Sequence, residues 1–550
     1  MAQRAPPSVI PGGGPQCPVR ATEDKNRRKR SKNKGILVNI RTDHNGCSTE
    51  GARVVDLARL SFGAAAAERD VRRGLDAYFI ESSAYTRMNA GTKTILVANR
   101  GAGKSAIFKT IAHRQRDAGG SVIELAPEDY SYEFLSSAMT RELDGAWAKL
   151  GAYATAWKYL LLVLIMKEVT RRHGRIRRGA ESQIWAYLRD NHAGGASGAF
   201  DSFVSYLRRI ESVKVGRFEA GVRTRELQHL YKLQEIDHLL PPLIRLCERT
   251  RITVLVDELD RGWDASEDAQ AFVAGLFQAC MTINDMSPGL RVCMSLRKEL
   301  YDSIPAIYDD AQKFRDLIEV ISWDREGLWR LIAGRIRHTV ADCRHRSDDD
   351  CWKAVFTRPV WSFRYMADRA LGRPREIIQY CSHALDHART NSSRPSVRIT
   401  PKDIQAVEST YSGERTRDIA AEYRFQYPGL LGVFQAFRTG PDVWTREDLE
   451  LFLLDLATGS VGVAPEARSW IDSRDPDVIL QVLWEIGFLT AAEHPAAEHP
   501  AAEHPATGQI GYPAEGGLDA VGPDPHAPPT PHSVDRFRMH PMFHRYVADR

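Results

Sequence analysis

Thr94-Ile95-Leu96-Val97-Ala98-Asn99-Arg100-Gly101-Ala102-Gly103-Lys104-Ser105 is an apolar run that stops at a glycine-bearing loop, and the chain resumes as Ala106-Ile107-Phe108-Lys109-Thr110-Ile111. A continuous apolar run suits a strand buried on both faces of a parallel sheet. A helix N-terminus directly after the loop offers unpaired backbone N–H groups that favour a phosphate chain. The stretch therefore reads as strand, phosphate loop and helix. In that reading Asn99, Arg100, Gly101, Ala102, Gly103, Lys104, Ser105 and Ala106 surround the phosphates. Lys104 reaches the β- and γ-phosphates, and the Ser105 hydroxyl holds Mg²⁺. Ala98 stands where the full G-x-x-x-x-G-K-[ST] pattern has its first glycine. That position is the strand exit, where a small residue suffices, whereas Gly101 and Gly103 sit where the backbone wraps the phosphates. Taken alone, the pattern also fits an ordinary strand-turn-helix.

A second stretch gives the loop a partner. Ile252-Thr253-Val254-Leu255-Val256 ends in Asp257-Glu258-Leu259-Asp260-Arg261, the form of a central parallel strand whose C-terminal end faces a ligand crevice. Beside a phosphate loop, Asp257 is placed to hold Mg²⁺ directly or through water, and Glu258 to orient or polarise the attacking water. Leu290–Arg297 makes a further strand; Arg297 at its end points either at the γ-phosphate, where a cation stabilises transition-state charge, or at solvent. Ser121–Leu125 and residues 319–323 supply two more strands, and helices are expected over 265–285 and 324–339. In Gly372-Arg373-Pro374-Arg375, glycine ends one helix and proline opens the next. Two arginines at a helix start oppose the helix dipole unless an anion is near. Arg373 and Arg375 are therefore candidates for a nucleotide phosphate, exposed arginines without a partner being the alternative.

Together, the phosphate loop, the Val-Asp-Glu-Leu-Asp-Arg strand end at 256–261, Arg297 and the Gly-Arg-Pro-Arg at 372–375 resemble the bacterial P-loop ATPases of the KAP and STAND groups, relatives of AAA+ proteins. The likeness covers about residues 55–390. It implies an α/β, three-layer P-loop core with a parallel sheet, binding ATP and Mg²⁺. It implies metal and water roles for Asp257 and Glu258, a sensor-1-like Arg297, and Arg373 or Arg375 in the sensor-2-like place. The catalytic set is then Glu258, Lys104 and Arg297. The product is an ATP-operated switch whose nucleotide state controls a protein partner or self-assembly. Two readings compete: a DNA-bound AAA+-like loader or regulator, and a scaffold that binds nucleotide without turnover. Several relatives serve antiphage or stress-response systems, an association these residues do not themselves carry.

At 550 residues the chain is too long for one ordinary core. A composition of 43% hydrophobic and 27% charged residues is that of a globular protein. A net charge of +4 is small for this length, so nucleic-acid binding has to come from local patches. The cysteines show neither a C-x-x-C pair nor zinc spacing, as expected of reduced, buried thiols in a cytoplasmic protein. The first 20 residues lack the apolar core of a signal peptide. Many KAP relatives carry transmembrane helices, but the most apolar run here, residues 159–166, is flanked by Lys158 and Lys167. It is short of the roughly 20 residues that span a bilayer, so no membrane attachment is expected.

Residues 1–50 are expected to be a disordered tail with a basic run at 25–34, able to grip phosphate backbones or merely solvated. Residues 51–340 form the ATPase core, 341–424 a helical lid and 425–550 a winged-helix-like domain. Within the core, 54–90 has a helical pattern; Tyr78 and Phe79 fit either the adenine pocket or plain core. Residues 131–248 read as a helical insertion carrying Arg171, Arg172, Arg175, Arg177 and Arg178, a solvated helix end or a phosphate or partner contact. The last domain combines helices at 427–437, after Thr445 and over 475–485, strands at 487–490 and 535–539, and a closing helix Pro541–Val547. Thr445 and Asp448 have the spacing of a capping box. Residues 491–532 interrupt it with a thrice-repeated Ala-Ala-Glu-His-Pro, expected to be disordered. His494, His499 and His504 within it make a poor metal site, because proline separates flexible ligands.

Overall fold

The computed structural model describes residues 56–126, 146–172, 179–192, 236–260, 263–304, 315–390, 397–472, 474–492 and 530–548. The basic run at 25–34, Arg175, Arg177, Arg178, Arg261, and His494, His499 and His504 lie outside the described residues.

The chain enters through irregular backbone at 56–66, followed by α1 (Ala67–Val71), a 3-10 turn and α2 (Ser83–Ala90). The helical pattern expected over 54–90 is broken at Gly63 and Gly74, whose φ values of 80° and 89° are left-handed. A Cβ on Gly63 would also run into the Arg335 guanidinium and the Asp70 carboxylate. Next come β1 (Ile95–Ala98), α3 (Lys104–Asp117) and β2 (Ser121–Leu125). The described part of the inserted region is α4 (Ala146–Arg172), α5 (Ala180–His192) and α6 (Leu240–Thr250). Then β3 (Ile252–Val256), α7 (Glu267–Asn284), β4 (Leu290–Arg297) and β5 (Ile318–Val320) complete the core.

The five strands are all parallel, in the order β2-β3-β4-β1-β5. Alternate residues of β1 and β3 face opposite layers, as strand geometry requires. Leu96, Ala98 and Leu255 pack with α2 and α3, whereas Ile95, Val97, Val254 and Val256 pack with α4, α6 and α7. The result is three layers. Because β4 runs between β1 and β3, Ala98 stands beside Arg297 and Val256 beside Met294. The C-terminal ends of all three strands thus open on one crevice, where ligands of such sheets bind.

α4 crosses α7 so closely that a Cβ at Gly275 would lie 2.7 Å from the Ala154 nitrogen. Trp157 Nε1 donates to the Phe272 carbonyl at 3.1 Å across the same contact. The helix continues past the apolar run at both ends, so Leu150–Arg171 is long and apolar enough to cross a membrane by length and composition, contrary to the expectation from 159–166. Its apolar window is 72% buried inside the fold. Among the described residues, six cysteines are free and buried.

After β5 the chain is helical through α8 (Arg325–Thr339), α9 (Asp348–Val355), α10 (Pro359–Ala367), α11 (Pro374–Thr390) and α12 (Glu408–Glu422). Asp324 caps α8 by accepting from the Gly327 N–H at 2.7 Å. The last region comprises α13 (Leu430–Ala436), β6 (Val443–Thr445), α14 (Arg446–Thr458), α15 (Pro476–Ile486), β7 (Leu489–Ala491), β8 (Arg536–Met539) and α16 (Pro541–Val547). Its strands form an antiparallel sheet in the order β6-β8-β7. Thr445 caps α14, but the reciprocal half of a capping box is not made. Asp448 bonds the Thr445 hydroxyl at 2.8 Å, while Thr445 itself ends β6 in register with Arg536. The helices after β5 and the C-terminal region share one hydrophobic cluster, in which Phe434 stacks on Phe488 at 4.3 Å.

Candidate functional site

The phosphate loop owes its shape to two glycines with φ of 81° (Gly101) and 105° (Gly103), the second being the N-cap of α3. The N–H groups of Lys104, Ser105 and Ala106 begin the helix and have no intrahelical acceptor. The loop carbonyls, by contrast, are engaged. Trp323 Nε1 donates to Ala102 at 2.8 Å, the Arg375 N–H to Gly101 at 3.3 Å and Arg373 Nη1 to Arg100 at 3.4 Å. Lys104 Nζ donates to the Ala98 carbonyl at 2.9 Å and to that of Asn99 at 3.4 Å. Burial lowers the pKa of its ammonium, against the opposing pull of Asp260, Glu299 and Asp257.

The acidic strand end faces this loop. Asp257 Oδ1 accepts from the Glu258 N–H at 2.9 Å and from the Ser295 hydroxyl. Both bonds fall on Oδ1. Glu258 holds a left-handed φ of 61°, a conformation worth roughly 1–3 kcal/mol of strain in a residue other than glycine. Arg297 Nη2 is paired with Asp260, and its Nη1 lies 3.5 Å from Glu299 Oε1.

These groups line one end of a cavity of about 370 Å³, a size suited to a small molecule. Its floor is Gly101, Gly103, Lys104 and Ser105, with Asp257, Glu258, Asp260 and Arg297 beside them. The cavity is also lined by the apolar Leu75, Tyr78, Phe79, Ile80, Leu331 and Ile378 and by the paired Asp70 and Arg335. Tyr78 and Phe79 are both cavity wall and packed core, Tyr78 against His338 (ring centroids 4.8 Å) and Phe79 against Tyr85 (5.0 Å). Arg100 and Ala106 also line the cavity. Ala102 is buried, and Asn99 faces an adjoining cavity instead.

Arg373 and Arg375 go different ways. Arg375 lines the cavity, with its Nε donating to the Ala65 carbonyl at 3.3 Å. Burial and the neighbouring Arg100 lower its pKa, against the opposing pull of Glu68 and Glu422. Arg373 is 5% exposed and donates from Nη1 to Glu422 Oε2 at 2.9 Å. Burial opposes its charge, but Glu422 and Glu376 outweigh it and hold its pKa above the ordinary value. Glu422 also accepts from the Arg100 N–H at 3.3 Å, tying α12 to the phosphate loop.

Ser295, Trp323 and Glu422 belong to the site and escape the sequence reading. Ser295 carries a signal: it is a small polar residue two positions before Arg297 on the same face of its strand. Glu422 carries none, since only the fold brings it to the loop. Among the described residues, no group of three or more His, Cys, Asp or Glu side chains could hold a metal alone. Ser105 and Asp257, hard oxygen donors lining the same cavity, are the residues that could hold a Mg²⁺ together with phosphate.

Residues 326–420, from α8 into α12, match the family model described as the FunZ-associated C-terminal helical domain. The chain is 22% identical over 437 residues to an 80.3 kDa protein assigned to transposon gamma-delta in Escherichia coli (strain K12). That match covers 78% of this chain and 61% of the relative's length. Among solved structures, the ORC2 protein of Aeropyrum pernix, in ADPNP–ADP complexes, aligns over 78% of this chain and 86% of its own at 12% identity and a TM-score of 0.34.

Proposed function

We propose that this chain binds Mg-ATP in the cavity above the phosphate loop, hydrolyses it, and uses the nucleotide state to set the position of its C-terminal regions. One observation carries the reading: Lys104 and Ser105 from the start of α3, Asp257 and Glu258 after β3, Arg297 from the end of β4 and Arg375 from α11 line a single cavity. The phosphates rest on the N–H groups at the start of α3, with Lys104 turning from the loop carbonyls to the β- and γ-oxygens. Ser105 and Asp257 would hold Mg²⁺, whose chemistry there would be to neutralise phosphate charge. Ser295 fixes the Asp257 carboxylate for that role. Glu258, presented by its strained backbone, orients the attacking water and accepts its proton. Arg297 leaves Asp260 for the γ-phosphate, exchanging one anion for another, and Arg375, lining the same cavity, adds a second cation.

The motifs favour kinship with KAP and STAND ATPases. Three helices with a β6-β8-β7 sheet have the order of a winged helix. In that reading α15 is the helix that enters a DNA groove, yet its exposed residues are Asp477, Val478 and Glu485. Without cations there, the phosphate attraction that dominates DNA affinity is missing from this helix, which favours a protein partner. Exposed Arg536 and Arg538 on β8 keep DNA as the second reading, one to which the transposon relative lends weight.

The deciding assay is ATP binding and hydrolysis by wild type, Lys104→Ala and Glu258→Gln, with and without duplex DNA. Lys104→Ala should lose nucleotide binding; Glu258→Gln should keep binding and lose turnover by about 10²-fold or more. Binding without turnover in wild type would establish the scaffold instead. Salt-dependent stimulation by DNA would move the balance to the loader.

A further inference from the structure

Glu299, two residues beyond Arg297, is given no role in the chemistry proposed above, yet it is a buried carboxylate beside the site. Its side chain is 5% exposed, and Oε1 is 3.5 Å from Arg297 Nη1. Its Oε2 is buried with no hydrogen-bond partner among the described residues. Burial, and then the neighbouring Glu422, raise its pKa. Its backbone carbonyl accepts from Gln426 Nε2 at 3.1 Å, and Gln426 lies in the segment joining α12 to α13. An adjoining cavity of about 610 Å³, lined by Asn99, Glu299, Tyr423, Gln426 and Glu485, leaves this side chain room to move.

We infer that Glu299 is a positioning residue that reports the γ-phosphate to the C-terminal region, by holding Arg297 back without nucleotide and by gripping the α12–α13 junction through Gln426. The inference rests on the ATP reading of the main cavity. Arg297 cannot satisfy both a γ-phosphate and the Asp260 and Glu299 carboxylates. When it turns to phosphate, Glu299 is left as a buried carboxylate beside Glu422, a costly arrangement that drives it toward the adjoining cavity. The turn that carries Glu299 also carries the carbonyl held by Gln426, so the junction moves with it. ADP, lacking the γ-phosphate, leaves the clasp closed.

The test uses the full chain as wild type, Glu299→Gln, Gln426→Ala and Lys104→Ala. Affinities for Mg-ADP and a Mg-bound non-hydrolysable ATP analogue are measured by calorimetry, and hydrogen exchange of residues 418–430 is followed with each nucleotide. Removing the charge that restrains Arg297 should tighten the ATP analogue about fivefold in Glu299→Gln with Mg-ADP unchanged. Exchange at 418–430 should respond to the ATP analogue in wild type and not in Glu299→Gln. Gln426→Ala should keep wild-type affinities and lose the exchange response, a split that general damage would not produce. If Lys104→Ala loses nucleotide while Glu299→Gln keeps the wild-type ATP-to-ADP preference and exchange response, the relay is wrong and the site stands. If Lys104→Ala binds both nucleotides like wild type, the site and the relay fall together.

Discussion

Replacing Arg373 and Arg375 one at a time by alanine separates a structural cation from a ligand-binding one. The Arg373 side chain is 6% exposed, and its partners Glu422 and Glu376 are 2% and 3% exposed. Removing Arg373 leaves Glu422 with the Arg100 N–H and Glu376 with the Leu371 N–H, each carboxylate buried and uncompensated. Breaking a buried pair from one side costs about 3–5 kcal/mol, and urea denaturation followed by tryptophan fluorescence should show a loss of that size. Arg375 is half-buried and, among the described residues, its side chain bonds a carbonyl through Nε at 3.3 Å, so Arg375→Ala should stay within about 1 kcal/mol of wild type. Its loss should instead weaken Mg-ATP by roughly 10- to 100-fold, the worth of a charge-assisted bond to phosphate. An Arg373→Ala protein of wild-type stability, together with an Arg375→Ala protein of wild-type affinity, would refute the assignment.

Gly275→Ala places a Cβ 2.7 Å from the Ala154 backbone at the α4–α7 crossing, and should cost about 1–3 kcal/mol in urea denaturation by forcing the helices apart. His540 caps α16, its Nδ1 accepting from the Met542 N–H at 3.2 Å, and burial followed by Arg538 holds its pKa down at about 4. Its folded pKa is depressed below the unfolded value, so its contribution is present above about pH 6.5 and is lost as pH falls toward 4. Stability should drop by about 2 kcal/mol between pH 7 and pH 5, and His540→Asn, which keeps an acceptor for the cap, should flatten that slope.

The sheet was legible because its information is local. Continuous apolar runs at Ile95–Ala98 and Ile252–Val256 end in a glycine-bearing loop and an acidic pair, and the fold brings both ends to one cavity. Neither run states its neighbour, and the insertion of β4 between them emerges only from the fold. The division between the two arginines is equally hidden, because it depends on Glu422, far along the chain. The region 54–90 misled for a different reason. Apolar spacing fits a helix there, but Gly63 and Gly74 take left-handed backbone so that the segment can bend around the cavity. Trp323 reads as a strand end in sequence and serves as a strut for the loop in the fold.

The hydrophobic cluster shared by the helices after β5 and the C-terminal sheet has a mechanical consequence. A close-packed interior transmits strain rather than absorbing it, so in the proposed ATP reading a displacement where Arg373, Arg375 and Glu422 meet the loop would be passed through this shared cluster toward β8 and α16 instead of being dissipated at the loop.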